Sequence, residues 1–297
     1  MDTHTIHTIA THAHTATGAD STRRHALAQR AKTGDLVRIA PGYYLDTEAI
    51  TTHPAPNVAV DLARLLAIQH RHPHLIASGP TAAWLRDLPL LREHPLHVTT
   101  TSDHHPRPVT LPEIQAGLLH VPAVTVRPHR PRGGRSPAMV RCGGEIISAT
   151  LEDTIIECAL TLKQEEAFVV ACAGLHELAR YRRFYRDDSR RREENNRSRL
   201  LRTIGSIGPH TPGRTSARWV NTHADAGCES AGESRLLYLL VRGGLQGLET
   251  QYPVSAANKW YFIDIALPEA RIGIEFDGRG KYGSDVDSVH RSIEAEE

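Results

Sequence analysis

The stretch CESAGESRLLYLLVRGGLQGLETQYPVSAANKWYFIDIALPEARIGIEFDG, residues 228–278, carries the most legible pattern in the chain. It opens as a helix from about Ser230 to Val241, with Leu236, Leu237 and Leu240 as its apolar stripe and Gly243-Gly244 at its end. Glu229 and Glu233 stand four apart and can face the same way. Two strands follow. From Tyr261 to Leu267 the odd positions are apolar, and from Arg271 to Asp277 the even ones are. Strand side chains alternate between faces, so one face carries Ile263, Ile265, Ile272, Ile274 and Phe276. The other carries Asp264, Glu275 and Asp277, with small Ala266 and Gly273 beside them. A turn centred between Glu269 and Ala270 sets Asp264 opposite Glu275, with Cβ atoms roughly 4.5–5.5 Å apart. Two carboxylates that close repel each other, and a divalent cation such as Mg²⁺ relieves the repulsion, taking further oxygens from water and phosphate. The small neighbours leave room for a substrate phosphate. A hairpin with one polar face is also what the edge of any sheet shows, so the pattern alone leaves a purely structural reading open.

Outward from this segment, the 297 residues suffice for two or three domains. Formal net charge is +1, so any nucleic-acid affinity must come from a local patch. Only Lys32, Lys163, Lys259 and Lys281 are lysine, and nearly all positive charge is arginine. No apolar run approaches the roughly 18 residues of a membrane span, and the N-terminus lacks the apolar stretch of a secretory signal. Cys142, Cys158, Cys172 and Cys228 are widely spaced, with no CxxC pair, and read as free thiols in a reducing compartment. A cytoplasmic protein with no membrane partner is the expectation.

Residues 1–18 are Thr- and His-rich without clear periodicity and read as a disordered tail; His4, His7, His12 and His14 lack the acidic or thiol ligands that would make a metal site. From Asp20 the pattern changes. Asp20 or Ser21 caps a helix through Ala31, Gly34 suits the position past its end, and strand, Pro41-Gly42 turn and strand follow. A helix feeding a small hairpin is the second half of a winged helix. Arg23, Arg24 and Arg30 on the helix and Arg38 on the wing are candidates for DNA phosphate contacts. Residues 58–176 read as one α+β module, with helices at Val58–His70, around Gly79-Pro80, from Thr150 and from Gln164, and strands at PLHVTTT, AVTVRPHR and AMVRCGGEIIS. His104-His105 reads as a loop pair. Residues 177–224 mix many arginines with Tyr181, Phe184 and Tyr185. That suits a nucleic-acid-facing helix, and equally a solvated helix laced by pairs with Asp187, Asp188, Glu193 and Glu194.

Two resemblances add to these readings. LAQRAKTGDLVRIAPGYYL, within residues 19–50, resembles the N-terminal winged helix of AbiEi-type antitoxins, and the layout of 58–176 resembles the body of such proteins. That resemblance implies DNA as a partner, and a toxin as a second one. In the C-terminal segment, Glu229-Ser230-Ala231-Gly232-Glu233, Ile263-Asp264-Ile265 and Glu275-Phe276-Asp277-Gly278 resemble, in order, the blocks of the DUF559 family. That family is related to very-short-patch repair endonucleases within the PD-(D/E)xK superfamily. The resemblance implies a metal-dependent DNA endonuclease using Mg²⁺ or Mn²⁺. Asp264 and Glu275 would be ligands, Glu233 (or less so Glu229) a support from the helix, and Asp277 a further catalytic group. The alternative is a DNA-binding regulator whose nuclease fold no longer cuts. Two departures favour it. The superfamily's lysine position holds Asp277, leaving Lys281 as the candidate basic contact, and the further core strand of the family is not among residues 225–297, so that domain is expected to be incomplete. The expected architecture is therefore α/β multidomain: a tail (1–18), a winged helix (19–50), an α+β module (58–176), a basic helical segment (177–224) and a restriction-endonuclease-like core (225–297).

Overall fold

The computed structural model describes residues 1–102, 107–257 and 259–277, so His104-His105, Gly278 and Lys281 lie outside the described residues. The fold is mixed α/β, with several small sheets. It begins α1 (Thr3–Thr11), β1 (Ala13–Thr15), α2 (Ser21–Thr33), β2 (Leu36–Ala40), β3 (Tyr43–Asp46), α3 (Thr47–Thr51). The expected tail is folded. Asp2 caps α1, accepting the N–H groups of His4 at 2.5 Å and Thr5 at 3.2 Å. Ile6 and Ile9 fall three apart, on one helical face, and both are buried. Two isoleucines among threonines and histidines give too short a repeat to stand out in sequence, but they suffice where a core is waiting for them.

The helix expected after Asp20 is present. Asp20 accepts the N–H of Arg23 at 2.7 Å, and Gly34 closes the helix in the left-handed region at φ 88°. The first sheet has the order β1-β3-β2, antiparallel throughout, with Val37 opposite Leu45.

Next come α4 (Pro56–Arg71), β4 (Leu75–Ala77), α5 (Gly79–Leu85), β5 (Val98–Thr100), β6 (Val109–Leu111), β7 (Ile114–Ala116), β8 (Leu119–Val121), β9 (Val124–Val126), β10 (Met139–Cys142) and β11 (Ile146–Ala149). The segment AMVRCGGEIIS, expected as one strand, is a hairpin of β10 and β11 turned at Gly143-Gly144, both in the left-handed region. A four-stranded sheet runs β10-β11-β4-β5, with β11 and β4 parallel. One hydrophobic core takes Ile6, Ile9, Leu45 and Ile50 together with Leu62, Leu65, Leu111 and Ile146. The expected winged-helix and middle segments thus share a core.

The remainder is α6 (Leu151–Thr161), α7 (Gln164–Ala179), α8 (Arg186–Ser206), α9 (Arg214–His223), α10 (Ala231–Arg242), β12 (Glu249–Ala256), β13 (Lys259–Leu267) and β14 (Ile272–Ile274). A second core gathers Ile155, Phe168, Leu200, Val220, Leu237 and Ile265. The two cores therefore meet near Thr150, and α6 and α7 pack on both sides: with the C-terminal elements, and with α5 and the segment after it, where Ala83 and Leu88 share a small core with Cys158 and Val170. The reason is spacing: helices joined by short loops pack on their neighbours, and α6 to α10 follow one another with no strand between them. The cysteines are free, three of them buried. Among the described residues, no helix is long and apolar enough to cross a membrane.

Candidate functional site

The C-terminal carboxylates sit on a sheet one strand larger than expected. β12 pairs along β13, so β13 is the middle strand of β12-β13-β14. The turn at Pro268–Ala270 sets Ile265 opposite Ile274, Ala266 opposite Gly273 and Leu267 opposite Ile272. This is the register read from the sequence, and its next step places Asp264 against Glu275. The strand stops one residue short of that step, at Ile274. There Phe276 donates its backbone N–H to Asp264 Oδ2 at 2.9 Å. Asp277 is exposed at the edge of the described residues.

Glu233 is already committed. Ser230 caps α10, accepting the Glu233 N–H at 3.1 Å, while the Glu233 carboxylate accepts the Ser230 hydroxyl at 2.7 Å and the Glu229 N–H at 2.8 Å. This is a close variant of the capping box. Ser-x-x-Glu at 230–233 is its sequence signature, which a pairing of the two glutamates at i and i+4 passes over. Burial pushes the Glu233 carboxyl up, and the charges of Asp264 and Glu229 push the same way against these hydrogen bonds. Glu229 itself lies 3.5 Å from the Arg183 guanidinium.

The space expected for a phosphate is occupied. A Cβ built on Gly273 would stand 3.1 Å from Ile263 Cδ1, so Ile263 covers the glycine, contrary to the clean alternation of faces. The Phe276 ring lies directly on Gly232, where a Cβ would overlap it. Of the apolar face read from sequence, Ile265 is buried, whereas Ile272 and Phe276 are exposed. Among the described residues, no group of three or more His, Cys, Asp or Glu side chains is placed to hold a metal ion. Asp264 accepts the Phe276 N–H and Glu233 caps a helix, so the donor set as placed does not fit a three-ligand metal centre.

The second candidate region is α2. Of its thirteen residues only Leu27 is buried. The helix carries Arg23, Arg24, His25, Arg30 and Lys32 and no acidic residue. Arg23, Arg24 and Arg38 are exposed, and Arg24 bonds only to the Asp20 carbonyl, at 3.3 Å. Arg30 differs, since it donates to Asp46 Oδ1 at 2.9 Å. Asp46 also meets His12 Nδ1 and His14 Nε2, each at 3.0 Å, so these two histidines join the first strand to the hairpin. Burial works against the Asp46 charge, but His12, His14 and Arg30 outweigh it and hold the carboxyl below its ordinary range.

The arginines of the segment 177–224 are mostly structural. Arg190 donates to Glu193, Asp225 and the Thr250 hydroxyl, each at 2.7 Å. Arg197 donates to the carbonyls of Asn221 at 2.9 Å and Ala224 at 2.6 Å, at the end of α9, and to Glu193 at 2.5 Å. Arg192 reaches the Ala179 carbonyl at the end of α7, at 2.6 Å. Arg214 reaches the Ile204 carbonyl near the end of α8, at 3.3 Å. Helix C-termini leave carbonyls unsatisfied and carry partial negative charge, and these arginines satisfy both needs. Arg186 pairs with Glu249, Arg199 with Glu152 and Arg191 with Asp188. The reading of α8 as a helix laced by ion pairs is the one that describes its arginines.

One polar region has no counterpart among the sequence-based expectations. A pocket of about 100 Å³ is lined by His97, His129, Arg130, Arg132 and Glu157, with Thr99 and Thr161. The two imidazoles stack with centroids 4.0 Å apart, Ser78 Oγ lies 2.9 Å from His97 Nδ1, and Glu157 accepts the Gly79 N–H at 2.9 Å. Burial, with His129 and Arg132 beside it, pushes His97 down to about 3, and burial pushes Glu157 up to about 7. A signal was available, because no Asp or Glu occurs between Glu113 and Glu145 while Arg127, Arg130, Arg132, Arg135 and Arg141 do. Compared with known proteins, the chain matches no protein-family model and no curated protein.

Proposed function

We propose that this protein binds DNA, with α2 and the β2–β3 hairpin meeting the duplex as a winged helix does, in the manner of a regulator. One observation carries the reading: α2 is exposed along almost its whole length, is basic and carries no acidic residue. A helix held by a single buried leucine has given up the packing that normally stabilises helices. Exposed arginines whose guanidinium groups are in no ion pair, as for Arg23, Arg24 and Arg38, are the groups that neutralise phosphates and release counterions. The sheet order β1-β3-β2 extends the hairpin along the edge of β3 and supports the same reading. The antitoxin resemblance adds a toxin to this proposal as a second partner. The test is titration of a labelled duplex with the protein, read by anisotropy. Changing Arg23, Arg24 and Arg38 together to alanine is expected to weaken binding by about tenfold or more at moderate salt. Unchanged affinity in that variant would sink the reading.

A second reading, a metal-dependent DNA endonuclease, is favoured by one specific feature, the β13–β14 register, whose next step beyond Ile265 and Ile274 would set Asp264 opposite Glu275. It needs the Glu233 carboxylate to leave the end of α10, or the Asp264–Glu275 pair to serve without it. Incubating supercoiled DNA with the protein and Mg²⁺ or Mn²⁺ tests it. Nicking that disappears in Asp264→Asn is expected on this reading, and intact DNA at high protein concentration would reject it.

A further inference from the structure

We propose that Phe184, Tyr185, Trp260 and Phe262 form a stacking site for the unpaired bases of single-stranded DNA, beside the carboxylates of the C-terminal sheet. The proposal deepens the reading that the protein acts on DNA and rests on it, but it concerns a different surface from α2.

The chain is poor in aromatic residues, at 5% of the total. Among the described residues four aromatics are more than half exposed, and three of them fall here: Phe184 at 70%, Tyr185 at 62% and Trp260 at 63%, while Tyr261 alternates to the other face of β13. Scattered exposed side chains need no explanation, but a cluster of this kind marks a binding surface. Phe184, Tyr185, Trp260 and Phe262 line one open groove of about 500 Å³. The Arg183 guanidinium lies 5.4 Å from the Phe262 ring centre and 5.7 Å from that of Phe184, so these rings already receive a flat cationic group. Aromatic faces interleaved with arginine are what bases stack upon, and every base has such a face to offer.

Position adds to chemistry. Trp260, Phe262 and Asp264 occupy alternate positions of β13, and at about 3.4 Å per residue Phe262 stands ~7 Å along the strand from Asp264. Arg183 also pairs with Glu229 at the start of α10, which ties the groove to the same carboxylates from the other side. A base held on Trp260 and Phe262 would therefore direct its backbone toward Asp264.

The groove is not uniformly basic. Asp187 and Asp188 line it with Arg186 and Arg191, and Asp188 is paired with Arg191. Attraction for phosphate is thus partly offset, so affinity is expected to come from stacking and to depend on salt less steeply than duplex binding by α2.

The experiment uses the full chain, with oligo(dT) and a duplex as separate probes. Trp260 is the exposed tryptophan, Trp84 and Trp219 being half-buried, so quenching of its fluorescence reports occupancy directly. Phe184→Ala combined with Trp260→Ala is expected to weaken oligo(dT) binding by about tenfold or more while duplex affinity changes less than about twofold. Trp260→Phe, which keeps a ring, should restore most of the loss. The change of Arg23, Arg24 and Arg38 to alanine should show the reverse pattern, so the two readings can fail separately. No quenching by oligo(dT), or equal affinity in the double variant, would overturn the proposal. So would self-association of the protein that Trp260→Ala abolishes without any effect on oligo(dT), since the surface would then join copies of the chain.

Discussion

α2 and α8 are both arginine-rich helices, and they use their arginines in opposite ways. α2 has no acidic residue, one buried side chain and, apart from Arg30 on Asp46, arginines that are exposed without an ion pair. α8 carries Asp187, Asp188, Glu193 and Glu194, and its arginines reach carboxylates and helix-end carbonyls on α6, α7, α9 and β12. The difference teaches that basic charge becomes available to a partner only where the protein itself offers no anion. Counting arginines favours α8; following their hydrogen bonds favours α2.

The largest expected effect that would break this comparison lies in α8. Arg190 joins Glu193, Asp225 and Thr250, and burial together with Asp225 pushes the Glu193 carboxyl up while Arg190 holds it back. Arg190→Ala should leave two acids facing each other and cost about 3–5 kcal/mol, read as a lowered midpoint in chemical or thermal unfolding. A stable variant would mean that α8 also has arginine to spare. The corresponding changes in α2 should behave differently. Arg23, Arg24 and Arg38 changed to alanine should leave unfolding within about 0.5 kcal/mol of the parent. The same variant should flatten the plot of log affinity against log salt by about 0.9 for each phosphate that is no longer neutralised. A drop in stability with an unchanged salt slope would make α2 a second α8.

The smallest effect concerns the tether of α2. Asp46 holds Arg30, His12 and His14, and its carboxyl lies below the ordinary 3.8. A depressed folded value means that the stabilisation is complete above the ordinary range and is lost as pH falls through the lower folded value. Amide exchange across α1 and β1 should therefore accelerate only below about pH 4. In Asp46→Asn it should already be faster at neutral pH, by an amount equivalent to about 1 kcal/mol. Equal exchange in the two proteins would show that the burial of Ile6 and Ile9 and the β1–β3 ladder hold the N-terminal elements without the Asp46 carboxylate.

Much of the fold was legible because it follows from local rules. Asp20 and Gly34 bound α2, Thr150 begins α6, and Pro268 with the alternation on either side set the register of β13 and β14. The candidate site was legible in the same limited sense. The sequence placed Asp264 against Glu275, but it also contained the Ser230–Glu233 cap that ties up the third carboxylate. The aromatics of the groove were visible only in part, since Phe184 and Tyr185 stood out among arginines while Trp260 and Phe262 read as strand.

By itself the sequence determined the helices with clear periodicity, their ends, and the hairpin that carries Asp264, because each depends on residues within a turn or two of one another. The tertiary structure alone decided that the first eighteen residues fold, that the cores divide near Thr150, and which arginines remain free. These outcomes depend on partners far apart in the chain. Arg190 finds Thr250 sixty positions away, and Ile6 lies in one core with Ile146. Whether a charge is spent or available is settled by what folding brings beside it, and a local pattern does not contain that information.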